Sequence, residues 1–321
     1  MFARRLLMGG LLALCVTPMP LRADSSSLTS VCRNTADISA SAERQNISFT
    51  TPGKNERTAR DFAAVDEENV YSPAVVEFNR DRYVFFGGWH VHGQTHDSIY
   101  VARCLDPERK CDPEVVALDS EKLGFEHLND PVVVRTAAGN WLMYMTGVKE
   151  HENGLIADRN HVYWSVSGDL KGWTKPVEIA SDIWLPAAVV SSSGNILLYG
   201  NGNASGSIVV YTLAEDGIEI LSRQIANLPK FYSNLDIRRI GSTGAYQMLA
   251  ETPGPSNQID LLSSYGGLNW SIERAAVIKP HVGKNHVRTP AFDVIDENTI
   301  YYGETYNNNA TDNKICARSL R

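Results

Sequence analysis

Five times along this chain a short apolar stretch, in four of the five cases beginning at or beside a proline, is followed, ten or eleven residues later, by an aromatic-rich one. Ser72-Pro73-Ala74-Val75-Val76 precedes Tyr83-Val84-Phe85-Phe86-Gly87, and Asn129-Asp130-Pro131-Val132-Val133-Val134 precedes Trp141-Leu142-Met143-Tyr144-Met145. Leu185-Pro186-Ala187 precedes Ile196-Leu197-Leu198-Tyr199; Asn234-Leu235-Asp236 precedes Tyr246-Gln247-Met248; Thr289-Pro290-Ala291 precedes Ile300-Tyr301-Tyr302. Anchored at residues 73, 131, 186, 235 and 290, the spacings are 58, 55, 49 and 55. Within each unit, β-branched and aromatic residues alternate with Gly, Asn and Asp turns, and no helical period competes. A unit of two to four strands cannot bury its own apolar face. Five of them at a period near fifty residues therefore predict an all-β fold, a five-bladed β-propeller.

The ends of the chain read differently. Arg4 and Arg5, an apolar run from Leu6 to Val16 and Leu21-Arg22-Ala23 resemble a secretory signal over residues 1–23, too short for a permanent span. Leu14-Cys15 also resembles an acylation site, with a poor residue before the Cys, and the Arg pair fits an ordinary or a twin-arginine signal. An exported protein is expected, with no later membrane span. Residues 24–68 are polar and predict a leader that wraps the propeller of residues 69–321, with Asn46-Ile47-Ser48-Phe49-Thr50 as a candidate strand completing the last blade. Net charge is −7 and the two signs are interspersed, which argues against nucleic acid or an anionic membrane as partner. Four cysteines follow the signal, and an even count in an exported chain suggests disulfides. Cys104 with Cys111 closes a local turn, and Cys32 with Cys316 joins the two ends of a ring. A zinc site is the rival, but the spacing fits no common ligand pattern.

The Asp-Pro strand, the aromatic strand and Ser167-Gly168-Asp169-Leu170-Lys171-Gly172-Trp173 together resemble the five-bladed glycoside hydrolases: the arabinanase/xylosidase, invertase and neoagarobiose hydrolase groups. The resemblance covers roughly Glu68 to Arg318. Ser263-Ser264-Tyr265-Gly266-Gly267-Leu268-Asn269-Trp270 reads as a degenerate sialidase-type turn, with Tyr265 where Asp would be expected. Asp169 reads as a turn-former, and Trp164, Trp173 and Trp270 as inter-blade core.

The resemblance implies a carbohydrate substrate or ligand, no required cofactor, and an axial ion, often calcium, that His286 would help hold. It also implies Asp, Asp and Glu at the starts of the first, third and fourth inner strands, where this chain has Ser72, Leu185 and Asn234. Chemistry would then have to move to other funnel carboxyls. Propeller geometry brings Asp130 and the second-strand ends His90, Thr146, Asn201, Glu251 and Glu304 to one face. Glycosidic hydrolysis needs one protonated and one ionised carboxyl across the bond. Asp130, Glu251 and Glu304 are the catalytic candidates, and mutual proximity is expected to raise at least one pKa; each is also an ordinary polar strand end. Substrate-binding candidates are His90, His92, Trp89, Trp184, Arg288 and Asn201. His90, His92 and His96 with Asp97 could instead bind a metal, and Arg288 could grip a sugar carboxylate or serve between blades. A binding propeller without catalysis is the alternative function.

Overall fold

The computed structural model describes residues 69–89, 96–105, 110–111, 115–150, 159–203, 206–253, 257–280, 286–305 and 313–319. Residues 1–68, and with them the signal, the leader and Cys32, lie outside the described residues, as do His90 and His92.

Among the described residues, twenty strands form five antiparallel sheets. Blade one comprises β1 (Asn69–Phe78), β2 (Asp81–Trp89), β3 (Ser98–Leu105), β4 (Lys110–Cys111) and β5 (Val115–Leu118). A single helical turn, α1 (Ser120–Leu123), is capped by the Asp119 side chain and ended by Gly124 in the left-handed region. Blade two is β6 (Phe125–Arg135), β7 (Trp141–Lys149), β8 (His161–Ser167) and β9 (Val177–Ala180). Blade three is β10 (Ile183–Val190), β11 (Ile196–Gly202), β12 (Ile208–Leu213) and β13 (Ile220–Ile225). Blade four is β14 (Ser233–Ile240), β15 (Ala245–Thr252), β16 (Gln258–Tyr265) and β17 (Asn269–Ile278). Blade five has three described strands, β18 (His286–Phe292), β19 (Thr299–Thr305) and β20 (Asn313–Ser319). The inner strands β1, β6, β10, β14 and β18 touch in a ring. The fold is the expected five-bladed β-propeller.

Both faces of each blade are apolar because each packs against a neighbouring blade. Successive residues of a strand therefore belong to different seams. Phe85 packs toward blade two, in a cluster with Ile99, Met143 and Tyr163, whereas Phe86 packs toward blade five, with Tyr100, Tyr301 and Ile315. Corresponding clusters fill the other three seams, centred on Tyr144 with Leu198, on Tyr199 with Met248, and on Leu249 with Tyr302.

The seams also carry polar staples. Tyr144 Oη donates to the Gly217 carbonyl of the next blade at 2.8 Å, and Tyr199 Oη does the same to Gly267 at 2.7 Å. The turn after β8 is held by Asp169, which accepts from the Lys171 and Gly172 amides at 2.9 and 3.0 Å. Asp169 is thus the expected turn-former. Trp173 Nε1 donates to the Leu170 carbonyl and Trp270 Nε1 to the Gly267 carbonyl. That shared bond aligns Gly266, not Tyr265, with Asp169; Tyr265 takes the place of Gly168 and stands 81% exposed. The ring closes between blades five and one on a buried pair, Arg82 to Asp293, at 2.9 and 3.1 Å. Cys104 stands opposite Cys111 in the β3–β4 register, and Cys316 lies buried on β20.

Candidate functional site at the propeller axis

The residue before each sequence anchor has the same unusual backbone. Ser72, Asp130, Leu185, Asn234 and Thr289 have φ of 50, 49, 52, 43 and 45°. Each lies in a bulge of the inner strand: between Tyr71 and Ala74, Asn129 and Val132, Trp184 and Ala187, Ser233 and Leu235, and Arg288 and Ala291. In every case the inner strand carries one residue more than its partner, which is how a bulge bends a strand and re-aims its side chain. Proline is tolerated at four of these sites because a bulge residue owes no ladder hydrogen bond. Left-handed backbone costs a non-glycine residue about 1–2 kcal/mol, so five such residues around one axis are sustained by their surroundings.

Neighbouring blades provide those surroundings. The Ser72 amide donates to Thr289 Oγ1 at 3.2 Å, the Leu185 amide to Thr146 Oγ1 at 2.9 Å, and the Thr289 amide to Glu251 Oε2 at 3.4 Å. Ser72 Oγ donates to Asp130, which also accepts from the Thr146 hydroxyl. A belt of hydrogen bonds thus runs from Leu185 through Thr146, Asp130, Ser72 and Thr289 to Glu251. The five bulge residues and the residues after them line a small axial pocket.

Three of the sequence candidates are buried carboxyls. Burial pushes the Asp130 carboxyl up to about 6, with the Asp97 charge adding to it and the Ser72 and Thr146 hydroxyls opposing it. Burial also raises Glu251, against the pull of donors from Asn234 at 2.5 Å and Asn257 at 3.0 Å and of the Arg288 charge. Glu304 is buried on β19, opposite Val287. Desolvation, rather than the expected mutual repulsion of these three, is the main cause of the shifts. The like charge that contributes at Asp130 is Asp97, which sequence reasoning had placed only in a possible metal site.

Asp97 is buried and accepts from Tyr71 Oη and from Asn129 Nδ2 at 3.2 Å, with His127 Nδ1 3.4 Å away. It seats the chain after β2 on blade two: its carbonyl accepts from Leu128 at 2.9 Å, and His96 Nδ1 lies 3.2 Å from the Phe125 carbonyl. Among the described residues no group of three His, Cys, Asp or Glu side chains is placed to hold a metal. His286 is half-buried at the start of β18.

The remaining candidates gather at the same end of the blades. Half-buried Trp184 pairs with buried Asn201 in the β10–β11 register. Arg288 flanks Thr289 and acts electrostatically on Glu251. Trp89 ends β2. Asn201 Oδ1, Asn257 Oδ1 and Arg288 Nε are buried with no hydrogen-bond partner among the described residues. Native proteins leave few such groups, and they mark places where water or a ligand completes the bonding. Ser72, Thr289, Tyr71, Asn129 and Asn257 were not foreseen as site residues. For Ser72 and Thr289 the signal was present, since each precedes an anchoring proline.

No family model and no curated protein matches this chain in sequence. Solved structures do match in fold. A thermostable family-43 glycoside hydrolase superposes with a TM-score of 0.62 at 13% identity, over 84% of this chain and 91% of that one. The RS223 β-xylosidase gives 0.63 at 14%, over 79% and 92%. A β-xylosidase/α-arabinofuranosidase from a compost microbial metagenome, solved with xylotriose, gives 0.60 at 11%, over 79% and 91%. At these identities the likeness establishes a shared propeller fold.

Proposed function

We propose that this protein is an exported glycoside hydrolase that binds an oligosaccharide or polysaccharide end over the propeller axis and cleaves it with a pair of carboxyl groups. The observation that carries this reading is Asp130. It is a buried carboxyl on the axial pocket with its pKa raised to about 6, joined through Ser72 and Thr289 to a second buried carboxyl, Glu251. A group poised near 6 is protonated often enough to give a proton to the leaving oxygen and weak enough to release it. Asp130 is the general acid. Glu251, facing two amide donors, a backbone N–H and Arg288, is the base that draws a proton from water. Glu304 supports from blade five. Asn201, Asn257 and Arg288, whose Oδ1, Oδ1 and Nε atoms have no hydrogen-bond partner among the described residues, are the proposed polar contacts to the sugar, and Trp184 is the proposed face for a ring to stack on. Structural neighbours solved with xylotriose and with xylose are consistent with a pentose-containing ligand. Every step proposed uses the protein's own groups.

One observation favours a second reading, a carbohydrate-binding propeller without catalysis. Leu185 and Ser72 occupy two of the axial positions where the resemblance calls for carboxylates.

Chromatography of products from xylo- and arabino-oligosaccharides and from algal and bacterial glycans separates the two. The hydrolase reading expects new reducing ends and a rate that falls as pH rises through about 6. Binding on a glycan array with no product from any substrate would reject it in favour of the second.

A further inference from the structure

At the end of the blades away from the axial pocket, a cleft of about 400 Å³ lies between blades two and three. Four steps along β7 separate Thr146, which bonds Asp130, from Leu142, which lines the cleft, or about 14 Å of strand. The β6–β7 turn supplies Ala138 and Asn140, β8 supplies Trp164, and the β12–β13 turn supplies Glu215, Asp216 and Ile218. The two walls are fixed to each other, because Tyr144 of blade two donates to the Gly217 carbonyl of blade three at 2.8 Å. Asp216 Oδ1 accepts from the Ile218 and Glu219 amides at 2.9 and 3.2 Å, which holds the shape of the turn. The volume falls in the usual range for small-molecule sites, roughly 300–1,000 Å³.

Trp164 is the side chain that packing between blades does not account for. Trp141 meets Phe78 and Arg135, Trp173 meets Phe85, and Trp270 meets Tyr199. The ring of half-buried Trp164 has no aromatic or cationic partner among the described residues. It stands opposite Val177, which is 51% exposed, and Ile218 in the facing turn is 41% exposed. Apolar surface therefore continues from the seam out to solvent, and its rim is one amide and two carboxylates. We propose that this cleft is a second carbohydrate site, in which a sugar ring stacks on Trp164 and Ile218 while its hydroxyls donate to Asn140, Glu215 and Asp216. The C–H face of a sugar is apolar and its hydroxyls are donors, so an aromatic face rimmed by acceptors matches both. A small cation would match the carboxylates alone and leave the apolar floor uncovered. The choice of a glycan rests on the proposed function; the shape and lining of the cleft do not. A short oligosaccharide held at the axis does not extend to the opposite end of the blades, so the second site serves a polymer, holding the chain while its end is cleaved.

Native gels cast with soluble xylan or arabinan read polymer binding as retardation, apart from any catalysis. Wild type is expected to be retarded by at least one of the two. Ala138 is an exposed turn residue, so Ala138→Arg fills the cleft without entering the core. It should weaken the apparent affinity by about fivefold or more, with the denaturation curve and the rate on a trisaccharide unchanged. Trp164→Phe should also weaken it and remove the fluorescence change that the polymer causes. Retardation of Ala138→Arg equal to wild type overturns the proposal even where hydrolysis is intact. Absence of hydrolysis, with retardation still sensitive to Ala138→Arg, rejects the proposed function and keeps the cleft. A wild type retarded by neither polymer overturns the proposal, as does a Trp164 fluorescence response to spermine alone, which would assign the cleft to a cation.

Discussion

Asp130→Asn should stabilise the protein at neutral pH and leave it unchanged in acid. Burial raises the Asp130 carboxyl from 3.8 to about 6, which makes its ionised form roughly 3 kcal/mol costlier to hold folded than unfolded. The sign follows from the direction of the shift. Below 3.8 the group is protonated in both states and costs nothing; as pH rises from about 4 to about 6 the unfolded state ionises first, and stability falls. Asparagine keeps an oxygen to accept from the Ser72 hydroxyl, tolerates a φ of 49° and carries no charge. Asp236, also raised to about 6 by burial, contributes the same trend in both proteins and cancels from the comparison. Urea denaturation of wild type and variant at pH 4 and pH 8 is the assay. The expected difference is near zero at pH 4 and about 2–3 kcal/mol in favour of the variant at pH 8. An equal difference at the two pH values, or a less stable variant at pH 8, would refute the view that Asp130 is held ionised against its surroundings.

Arg82→Ala leaves Asp293 buried with its charge uncompensated at the ring closure, and should cost about 3 kcal/mol in the same denaturation assay; a loss under 1 would mean that the pair contributes nothing to closure. Tyr199→Phe removes one bond between blades three and four, for an expected loss of about 1 kcal/mol. Gly217→Ala should cost more than Tyr199→Phe, because a Cβ there meets Leu142 at 2.2 Å and Tyr144 at 2.6 Å with φ at 75°; a melting temperature within a degree of wild type would contradict it. Peptide mapping without reductant should find Cys104 linked to Cys111, its register partner, and Cys32 linked to Cys316; any other pairing refutes the proposed ring closure by disulfide.

The blade repeat was legible because it is written in local signals: a proline, a β-branched run, a turn, an aromatic strand. The anchors chosen from those signals fall one residue after the five left-handed positions. Position in a repeat therefore located Asp130, and the return of the second strand located Thr146 and Glu251. Asp97 could not be read in this way. Its partners Tyr71, Asn129 and His127 lie 26 to 32 residues distant, brought together by the packing of blade one on blade two, and no period marks such a contact. The cause of the raised pKa values was also out of reach. Charge repulsion can be guessed from a list of carboxyls, whereas desolvation depends on how tightly Ser72, Thr146 and Asn234 close around them.

The most direct test of a carboxyl pair at the axis is the initial rate of reducing-sugar release by wild type, Asp130→Asn and Glu251→Gln, on the substrate that wild type cleaves best. With each variant shown to be folded by its denaturation curve, the account predicts that both lose activity by about 100-fold or more. Wild-type rates in a folded Asp130→Asn protein would contradict it.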